Sequence, residues 1–185
     1  YYPSHCFSYD PTTDRTEDLG PGFKQAVTVG FCADTKRGFL YGMTEPSAYF
    51  EVYDLKTKRM WIAGPVWGTS SNRYMVIDHA TGRVYHKGEV TPSGRQFMSV
   101  WDPAEFRLRD IEIAADGGLK YSHSYAITHG PLGSNTLYGS ADGKLVEMNL
   151  VPGPDGRLHV KAVCSLGVDG ETQPGYLYSI ETGPD

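Results

Sequence analysis

The chain has 185 residues, among them 22 glycines, 12 prolines and 13 tyrosines, and carries a formal net charge of −5. This length suffices for one domain with a sizeable core, and the abundance of tyrosine and turn-forming residues favours short strands over long helices. The 17 basic residues are scattered, which argues against a nucleic-acid-binding surface, and no apolar stretch reaches the roughly 18 residues of a membrane span.

The start of the chain and its cysteines carry no targeting or metal signal. No charged segment followed by an apolar one opens the chain, so no signal peptide is visible. Because the first residue is Tyr1 rather than methionine, we expect an upstream segment to be missing. The sequence does not specify the cellular compartment, and a secreted or periplasmic location is compatible with it. Cys6, Cys32 and Cys164 contain no Cys-x-x-Cys pair. We therefore expect small buried thiols and no metal or cofactor.

An aromatic residue followed by aspartate recurs along the chain. The copies are Tyr9-Asp10, Tyr53-Asp54, Trp101-Asp102 and a degenerate Met148-Asn149. Successive copies lie 44, 48 and 47 residues apart, a period typical of one four-stranded blade. The aspartate is predicted to begin a turn, because its side chain can accept hydrogen bonds from backbone N–H groups two residues on.

A second marker lies between these pairs and begins a strand. A turn residue is followed within the next few positions by Leu-Tyr or Val-Tyr in residues 38–42, 82–86 and 135–139. Each copy follows a short apolar segment and a polar turn, such as residues 78–82. Strand, turn and strand in succession predict a hairpin.

Each complete repeat is predicted to contain four strands, A to D. In the first unit, residues 27–63, they are Val29–Ala33, Phe39–Met43, Tyr49–Asp54 and Met60–Ala63. In the second unit, residues 74–113, they are Tyr74–Ile77, Arg83–His86, Phe97–Trp101 and Leu108–Ile113. In the third unit, residues 125–165, they are Tyr125–Thr128, Thr136–Tyr138, Lys144–Leu150 and Leu158–Ser165. Residues 5–20 supply strands C and D of a partial unit, and residues 176–185 supply a strand A.

The motif aromatic–Asp–x–x–Thr–x–(Lys/Arg) resembles that of the β-propeller superfamily, in particular the blades of Kelch-like, YncE-like and polysaccharide-lyase propellers. The Gly-His signature of WD40 repeats and the double glycine of Kelch repeats are missing. The resemblance implies an all-β fold. We expect one partial β-propeller domain over residues 1–185, with about three complete four-stranded antiparallel blades and partial blades at both ends.

Such a segment would leave the apolar sides of its first and last units uncovered, because propellers close into rings of about four to eight blades. We therefore expect the chain to be part of a larger ring of about six to eight blades, or to associate with other chains across the open blade sides. Missing blades of the same ring or other protein chains are the expected partners. Neither nucleic acid nor a membrane is expected as a partner.

The resemblance also implies where a ligand would bind, since the D–A and B–C loops of propellers surround one mouth of the central channel. The catalytic candidates in those loops are Arg73, His86, Tyr121 and His123. The ligand-binding candidates are Lys24, Trp67, Glu89, Arg95 and Tyr125. Aromatic rings can stack on sugars, and arginines can pair with carboxylates.

Two functions stay open at this point. The first is a non-catalytic platform for binding or assembly within a larger ring or complex. The alternative is a carbohydrate-active enzyme, a polysaccharide lyase that cleaves uronic-acid-containing glycans by β-elimination. In that case Arg73 would neutralise the uronate carboxylate, His86 or His123 would remove the C5 proton, and Tyr121 would protonate the leaving oxygen. His86 stands where the other blades have glycine, and its alternative role is to fill space between blades.

Overall fold

The computed structural model describes residues 5–21, 27–45, 48–66, 75–119, 127–129 and 134–166. The regular structure in these ranges is almost entirely β, which confirms the expected all-β fold. The chain divides into two compact units, residues 1–73 and 74–185, which are described in turn. None of the described residues belongs to a helix long and apolar enough to cross a membrane.

The first unit contains a hairpin and a four-stranded sheet. The hairpin pairs β1 (His5–Asp10) with β2 (Arg15–Pro21) in antiparallel fashion. The sheet comprises, side by side in chain order, β3 (Val27–Asp34), β4 (Phe39–Glu45), β5 (Tyr49–Asp54) and β6 (Arg59–Pro65). All its neighbouring strands are antiparallel. These elements are the predicted C–D hairpin of a partial blade and the first complete blade.

The second unit contains two further four-stranded blades. One blade comprises β7 (Met75–Ile77), β8 (Val84–Val90), β9 (Gln96–Asp102) and β10 (Arg107–Ala115), followed by a 3₁₀ turn at Asp116–Gly118. The other comprises β11 (Ile127–His129), β12 (Thr136–Ala141), β13 (Lys144–Asn149) and β14 (Leu158–Ser165). Three complete antiparallel blades are therefore confirmed. The strand predicted in residues 176–185 lies outside the described residues.

The outer strands of the two blades in the second unit are hydrogen-bonded to each other, which the repeat pattern does not predict. β10 and β14 run parallel where Ile113–Ala115 lies beside Leu158–Val160, so the eight strands form one sheet. β10 continues two residues past its predicted end at Ile113, and this extension supplies backbone groups for the pairing. The strands at the two ends of the sheet, β7 and β11, contact each other. The sheet therefore curls around its own core.

One turn geometry recurs in the hairpins of both units. An aspartate accepts a hydrogen bond from a backbone N–H two or three residues on, and the residue four positions after it has a φ between +52° and +78°. The aspartates are Asp10, Asp34, Asp54, Asp78 and Asp102. The predicted role of the aspartate in the C–D turns is confirmed.

The left-handed position of this turn is glycine in two A–B hairpins, Gly38 and Gly82, but not in the C–D hairpins. Asp14 there accepts a hydrogen bond from the Tyr9 hydroxyl at 2.9 Å. Lys58 forms an ion pair with Glu17 at 2.9 Å, and the ring of Phe106 packs edge-on against Trp101. Side-chain contacts thus offset part of the strain that a Cβ atom causes at positive φ.

In the first unit, the hairpin packs on one face of the blade. Tyr53 on β5 forms a core with Leu40 on β4 and Leu19 on β2, with Cys6 packed against it. The Tyr53 hydroxyl donates a hydrogen bond to the main-chain carbonyl of Leu19. The aromatic residue of the repeat therefore attaches its blade to the preceding C–D hairpin.

In the second unit, Met148 occupies the same place in the repeat. It joins Val146 and Leu137 in a buried cluster with Val100 and Met98 of the preceding blade. The strand registers agree, because Tyr53 lies opposite Leu40, Trp101 opposite Val84, and Met148 opposite Leu137. The repeat markers are therefore equivalent third-strand positions, as predicted.

The cost of a side chain at the left-handed position of the A–B turn can be measured at Gly38. There φ is +77° and a Cβ atom would meet nothing within 4 Å. Gly38→Ala is expected to destabilise the protein by about 1 kcal/mol, because alanine adopts positive φ at a cost. Gly38→Asn is the matched control and should cost less, since asparagine tolerates this region. Urea unfolding measures both, and equal stability of the alanine variant and the wild type would contradict the turn geometry.

The contribution of the Tyr53–Leu19 hydrogen bond to stability can be measured by substitution at Tyr53. Tyr53→Phe keeps the ring and removes the hydroxyl, which leaves the buried Leu19 carbonyl without its donor. We expect a loss of about 1 to 3 kcal/mol in the free energy of unfolding. Tyr49→Phe on the same strand, at a partly exposed ring, is the control and should change stability little. If the two variants are equally stable, the hydrogen bond does not anchor the hairpin.

Candidate functional site

The structure describes the side chains of two predicted site residues, His86 and Arg95. Glu89 lies in β8, but its side chain is outside the described part of the chain. The other candidates also lie outside it: Lys24, Trp67, Arg73, Tyr121, His123 and Tyr125. Whether these residues converge on one mouth of a channel therefore stays a prediction.

His86 belongs to a polar row that crosses one face of the second blade. It lies on β8, opposite Ser99 on β9, and Ser99 in turn lies opposite Asp110 on β10. The Ser99 hydroxyl donates a hydrogen bond to an Asp110 carboxylate oxygen at 2.5 Å. His86 is 1% exposed and Ser99 is fully buried.

The row is specific to the second blade. The corresponding positions are Gly42, Glu51 and Ile62 in the first blade, and Gly139, Val146 and Ala162 in the third. The histidine is a predicted site residue, whereas Ser99, Asp110 and the fully buried Glu51 are not. The repeat contains a signal for Ser99 and Glu51, because both are polar residues two positions before the repeated aromatic residue.

The row brings serine, histidine and aspartate together without the arrangement of a nucleophilic triad. A catalytic serine gives its proton to the histidine and faces the substrate. Here the hydroxyl proton of Ser99 is directed at Asp110, and the serine is inaccessible. His86 is equally inaccessible to a polymer in this arrangement. The row is therefore buried in the second unit, with the Ser99 hydroxyl directed at Asp110 rather than at His86.

Arg95 lines a groove of about 610 Å³ at the outer edge of the second unit, beside the parallel pairing of β10 and β14. Its guanidinium pairs with Glu112 at 2.6 Å and lies 5.0 Å from the centre of the Phe97 ring. The hydrogen bond from Arg95 lowers the pKa of the Glu112 carboxyl below its ordinary value. The arginine predicted to pair with a ligand carboxylate is thus paired with a carboxylate of its own chain.

Arg157 and His159 on the other side of the groove also have a carboxylate partner. Asp155 accepts a hydrogen bond from the Arg157 guanidinium at 2.7 Å and lies 3.0 Å from the ring nitrogen of His159. These two partners, His159 first, hold the pKa of the Asp155 carboxyl well below its usual range. Both arginines of the groove, Arg95 and Arg157, therefore pair with carboxylates of the same unit.

The hairpin of the first unit presents an exposed aromatic face. Phe7 is 62% exposed and Tyr9 is 59% exposed. The His5 ring stacks on Phe7, and His5 also pairs with Asp18 at 2.8 Å. The opposite face of the hairpin packs on the first blade through Leu19. One face of the hairpin therefore packs on the blade of its own unit, whereas Phe7 and Tyr9 on the other face are exposed.

The thiols do not form a metal or redox centre with the residues described. No group of three or more described His, Cys, Asp and Glu residues lies close enough to hold a metal ion. Burial raises the pKa of the Cys32 thiol to about 12, with a smaller contribution from Asp34. Cys164 is exposed, contrary to the expectation of buried thiols, because the end of β14 beyond Val160 is uncovered.

No protein-family model and no curated protein matches this chain. Solved structures match it with TM-scores just above one half. The tricorn protease has a TM-score of 0.55 and 15% identity, over 78% of this chain and 15% of that chain. A nidogen/laminin complex has a TM-score of 0.51 and 16% identity, over 80% and 56% respectively. The WD40 repeats of RRP9 have a TM-score of 0.51 and 10% identity, over 74% and 38%.

These likenesses show the fold, which is of the β-propeller type. The chain spans less than two thirds of each of these matched chains. They show the fold alone and do not distinguish Kelch-like, YncE-like and polysaccharide-lyase blades from one another.

The pairing in the groove predicts a titration. The ion pair between Arg95 and ionised Glu112 stabilises the fold when the pH lies above the ordinary glutamate pKa. This stabilisation is lost as the pH falls through the lowered pKa of Glu112. Arg95→Gln should raise the pKa of Glu112 toward the ordinary value of about 4.3, as measured by NMR titration of the carboxyl carbon. Arg107→Gln, on the same strand as Glu112, is the control. An unchanged Glu112 pKa in Arg95→Gln would show that the two groups do not pair.

Proposed function

We propose that this chain is a scaffold that binds a further blade, of the same ring or of another protein chain, through the open face of its first hairpin. We call this surface the β1 face; it consists of His5, Phe7, Tyr9, Thr16 and Asp18. The proposal makes the molecule a platform for assembly within a larger ring or complex. Propeller structures with this fold, among them a nidogen/laminin complex, fit such a role.

The observation that carries the proposal is the exposure of Tyr9. It occupies the repeat position of Tyr53, Trp101 and Met148, whose side chains are at most 2% exposed. Tyr53 and Met148 achieve this burial against the preceding hairpin or blade. Tyr9 stands 59% exposed with Phe7 beside it. At Tyr9, an aromatic side chain of the kind that packs the first blade on its hairpin through Tyr53 is thus exposed to solvent.

The composition of the β1 face favours a protein partner. Two exposed aromatic rings form its centre, and polar groups surround them. Buried aromatic anchors within a polar rim are typical of protein–protein interfaces. The charged groups at the rim, His5 and Asp18, pair with each other at 2.8 Å, so packing of the rings rather than net charge would select the partner.

The lyase alternative has no described residue in its favour. Its arginine and its tyrosine lie outside the described residues, and so does His123. The one proposed base that the structure describes, His86, is 1% exposed. The matched U3-55K, tricorn protease, RRP9 and nidogen/laminin structures are not named as polysaccharide lyases.

Site-specific photo-cross-linking tests the platform. The full-length protein carries p-benzoylphenylalanine in place of Phe7 and is irradiated in its native cellular background. We expect mass spectrometry to locate the reacted residue on a β-sheet face of another blade, with a species of higher mass when that blade belongs to another chain. Tyr9→Asp in the same protein should reduce the yield at least about tenfold, because a buried unpaired carboxylate disrupts an apolar interface.

Phe106 supplies the matched control position. It is a phenylalanine of similar exposure, 52%, but it lies in a C–D turn and packs on Trp101 of its own blade. Replacement at this position should give cross-links within its own blade. If positions 7 and 106 react alike, or if Tyr9→Asp leaves the yield at position 7 unchanged, the β1 face is not the binding surface.

A further inference from the structure

We propose that the groove beside the parallel pairing of β10 and β14 binds a small zwitterion, the chemistry of a free α-amino acid or of a short peptide. In this arrangement the carboxylate of the ligand lies on the guanidinium of Arg157, and its ammonium group lies on the carboxylate of Glu112. The groove belongs to the second unit and is lined by described residues. The inference is therefore independent of the β1 face.

The alternation of side chains along β10 and β14 places charged groups around a small residue. Ile113 and Leu158 lie side by side and belong to the buried core of the unit. Their neighbours Glu112, Ala114 and His159 therefore point away from that core, because successive side chains of a strand face opposite sides. Ala114 lies beside His159 and lines the groove. Its short side chain leaves space between the longer charged ones.

Arg157 supplies a cation whose position is fixed by its own chain. Its Nε donates a hydrogen bond to one Asp155 carboxylate oxygen at 2.7 Å, and its backbone N–H donates to the other oxygen at 3.2 Å. Within the described residues, no hydrogen bond engages the two terminal nitrogens of the guanidinium. A guanidinium held in this way keeps donors for a further carboxylate, which it binds through two parallel hydrogen bonds.

Glu112 supplies the matching anion. One of its carboxylate oxygens accepts a hydrogen bond from the Arg95 guanidinium at 2.6 Å. This hydrogen bond, and to a smaller extent the positive charge of Arg157, lower the pKa of the Glu112 carboxyl. Glu112 is therefore ionised at neutral pH and lies within electrostatic range of Arg157. Because a carboxylate accepts several hydrogen bonds, it can also bind an ammonium group.

The charges around the groove favour a ligand without net charge. The described charged groups in the groove and directly beside it are the guanidinium groups of Arg95 and Arg157 and the carboxylates of Glu112, Asp116 and Asp155. Repulsion from these carboxylates and from the net charge of −5 disfavours an anion. A zwitterion places each of its charges on an opposite one. Its charge-assisted hydrogen bonds are stronger than those of a neutral polyol.

The size and the walls of the groove suit a ligand with an aliphatic side chain. Its volume of about 610 Å³ lies within the range of roughly 300–1,000 Å³ that is typical of small-molecule sites. Apolar groups of Ala114, Ala115 and Leu119 line it beside the charged residues. An aliphatic side chain that leaves water for this wall contributes to binding. Leucine is therefore a suitable probe, and a dipeptide also fits the volume.

NMR titration of the full chain tests the ligand class. The probe is L-leucine at neutral pH, and binding is followed through the backbone amide shifts of Ala114 and Ala115. We expect saturable shifts. Leucinamide lacks the carboxylate and isocaproate lacks the ammonium group. Each should bind at least about tenfold more weakly than leucine, because each loses hydrogen bonds to a charged group.

The dipeptide leucylglycine separates the two sources of this chemistry. It carries the same two charged groups as leucine, but they lie farther apart. Tighter binding of leucylglycine than of leucine would assign the natural ligand to peptides. Tighter binding of leucine would assign it to free amino acids.

Substitutions test the cation and the space beside it. Arg157→Gln should weaken leucine binding at least about tenfold. The matched control is Arg107→Gln, at an exposed arginine of β10 outside the groove, which should leave binding unchanged. Ala114→Leu keeps every charge but fills the space between them, so saturable binding should be lost.

A change of specificity tests the anion. Glu112→Gln removes the acceptor for the ammonium group and releases Arg95 from its carboxylate partner. Leucine should then bind more weakly than to the wild type. Isocaproate should bind more tightly, because Arg95 becomes able to bind its carboxylate.

Three results would overturn the inference. Leucine gives no saturable shifts, or leucinamide and isocaproate bind as tightly as leucine, or Arg157→Gln and Arg107→Gln behave alike. Maltose is the neutral comparison, and binding as tight as that of leucine would assign the groove to polyols, which also overturns the inference. The cross-link at position 7 does not depend on any of these measurements, so the proposed function stands or fails separately.

Discussion

Within each of the two units, one sheet buries a face against the hairpin or blade before it, and the rest of that unit depends on this packing. Side chains alternate between the two faces of a strand, so the third strand of every unit directs one row of residues backward along the chain. Tyr53 meets Leu19 in this way, and Met148 meets Val100. The first hairpin presents the equivalent residue, Tyr9, to solvent. Its exposed aromatic face therefore carries a residue type that is buried at the same repeat position in the complete blades.

The turns make this repetition tolerant of sequence change. An aspartate at the start and a left-handed residue four positions later fix the hairpin through hydrogen bonds to the backbone. The strands between the turns can therefore vary as long as one face stays apolar. Blade two uses that freedom for the row of His86, Ser99 and Asp110. This row is buried within the second unit, whereas the rings of Phe7 and Tyr9 in the first unit are exposed.

The candidate site could be predicted from sequence only in part. The departure of His86 from glycine is visible in the repeat, but its burial depends on what lies across the sheet. Arg95 carries a charge that suits a ligand, yet Glu112 arrives from the neighbouring strand and neutralises it. Ser99 and Asp110 are 11 residues apart and meet because two strands pair in one register. Such pairs follow from tertiary register, which residue type does not reveal.

The sequence by itself determined the all-β class, the four-strand period, the hairpin turns and the equivalence of Tyr9, Tyr53, Trp101 and Met148, because these follow from local turn chemistry and alternation along a strand. The tertiary structure alone decided which of those equivalent residues are covered. It also decided the parallel pairing of β10 with β14, which joins two blades into one curled sheet. The coverage of these residues and the β10–β14 pairing both depend on contacts between segments far apart in the chain. Backbone groups pair there without regard to side-chain identity, so a local sequence pattern does not predict these contacts.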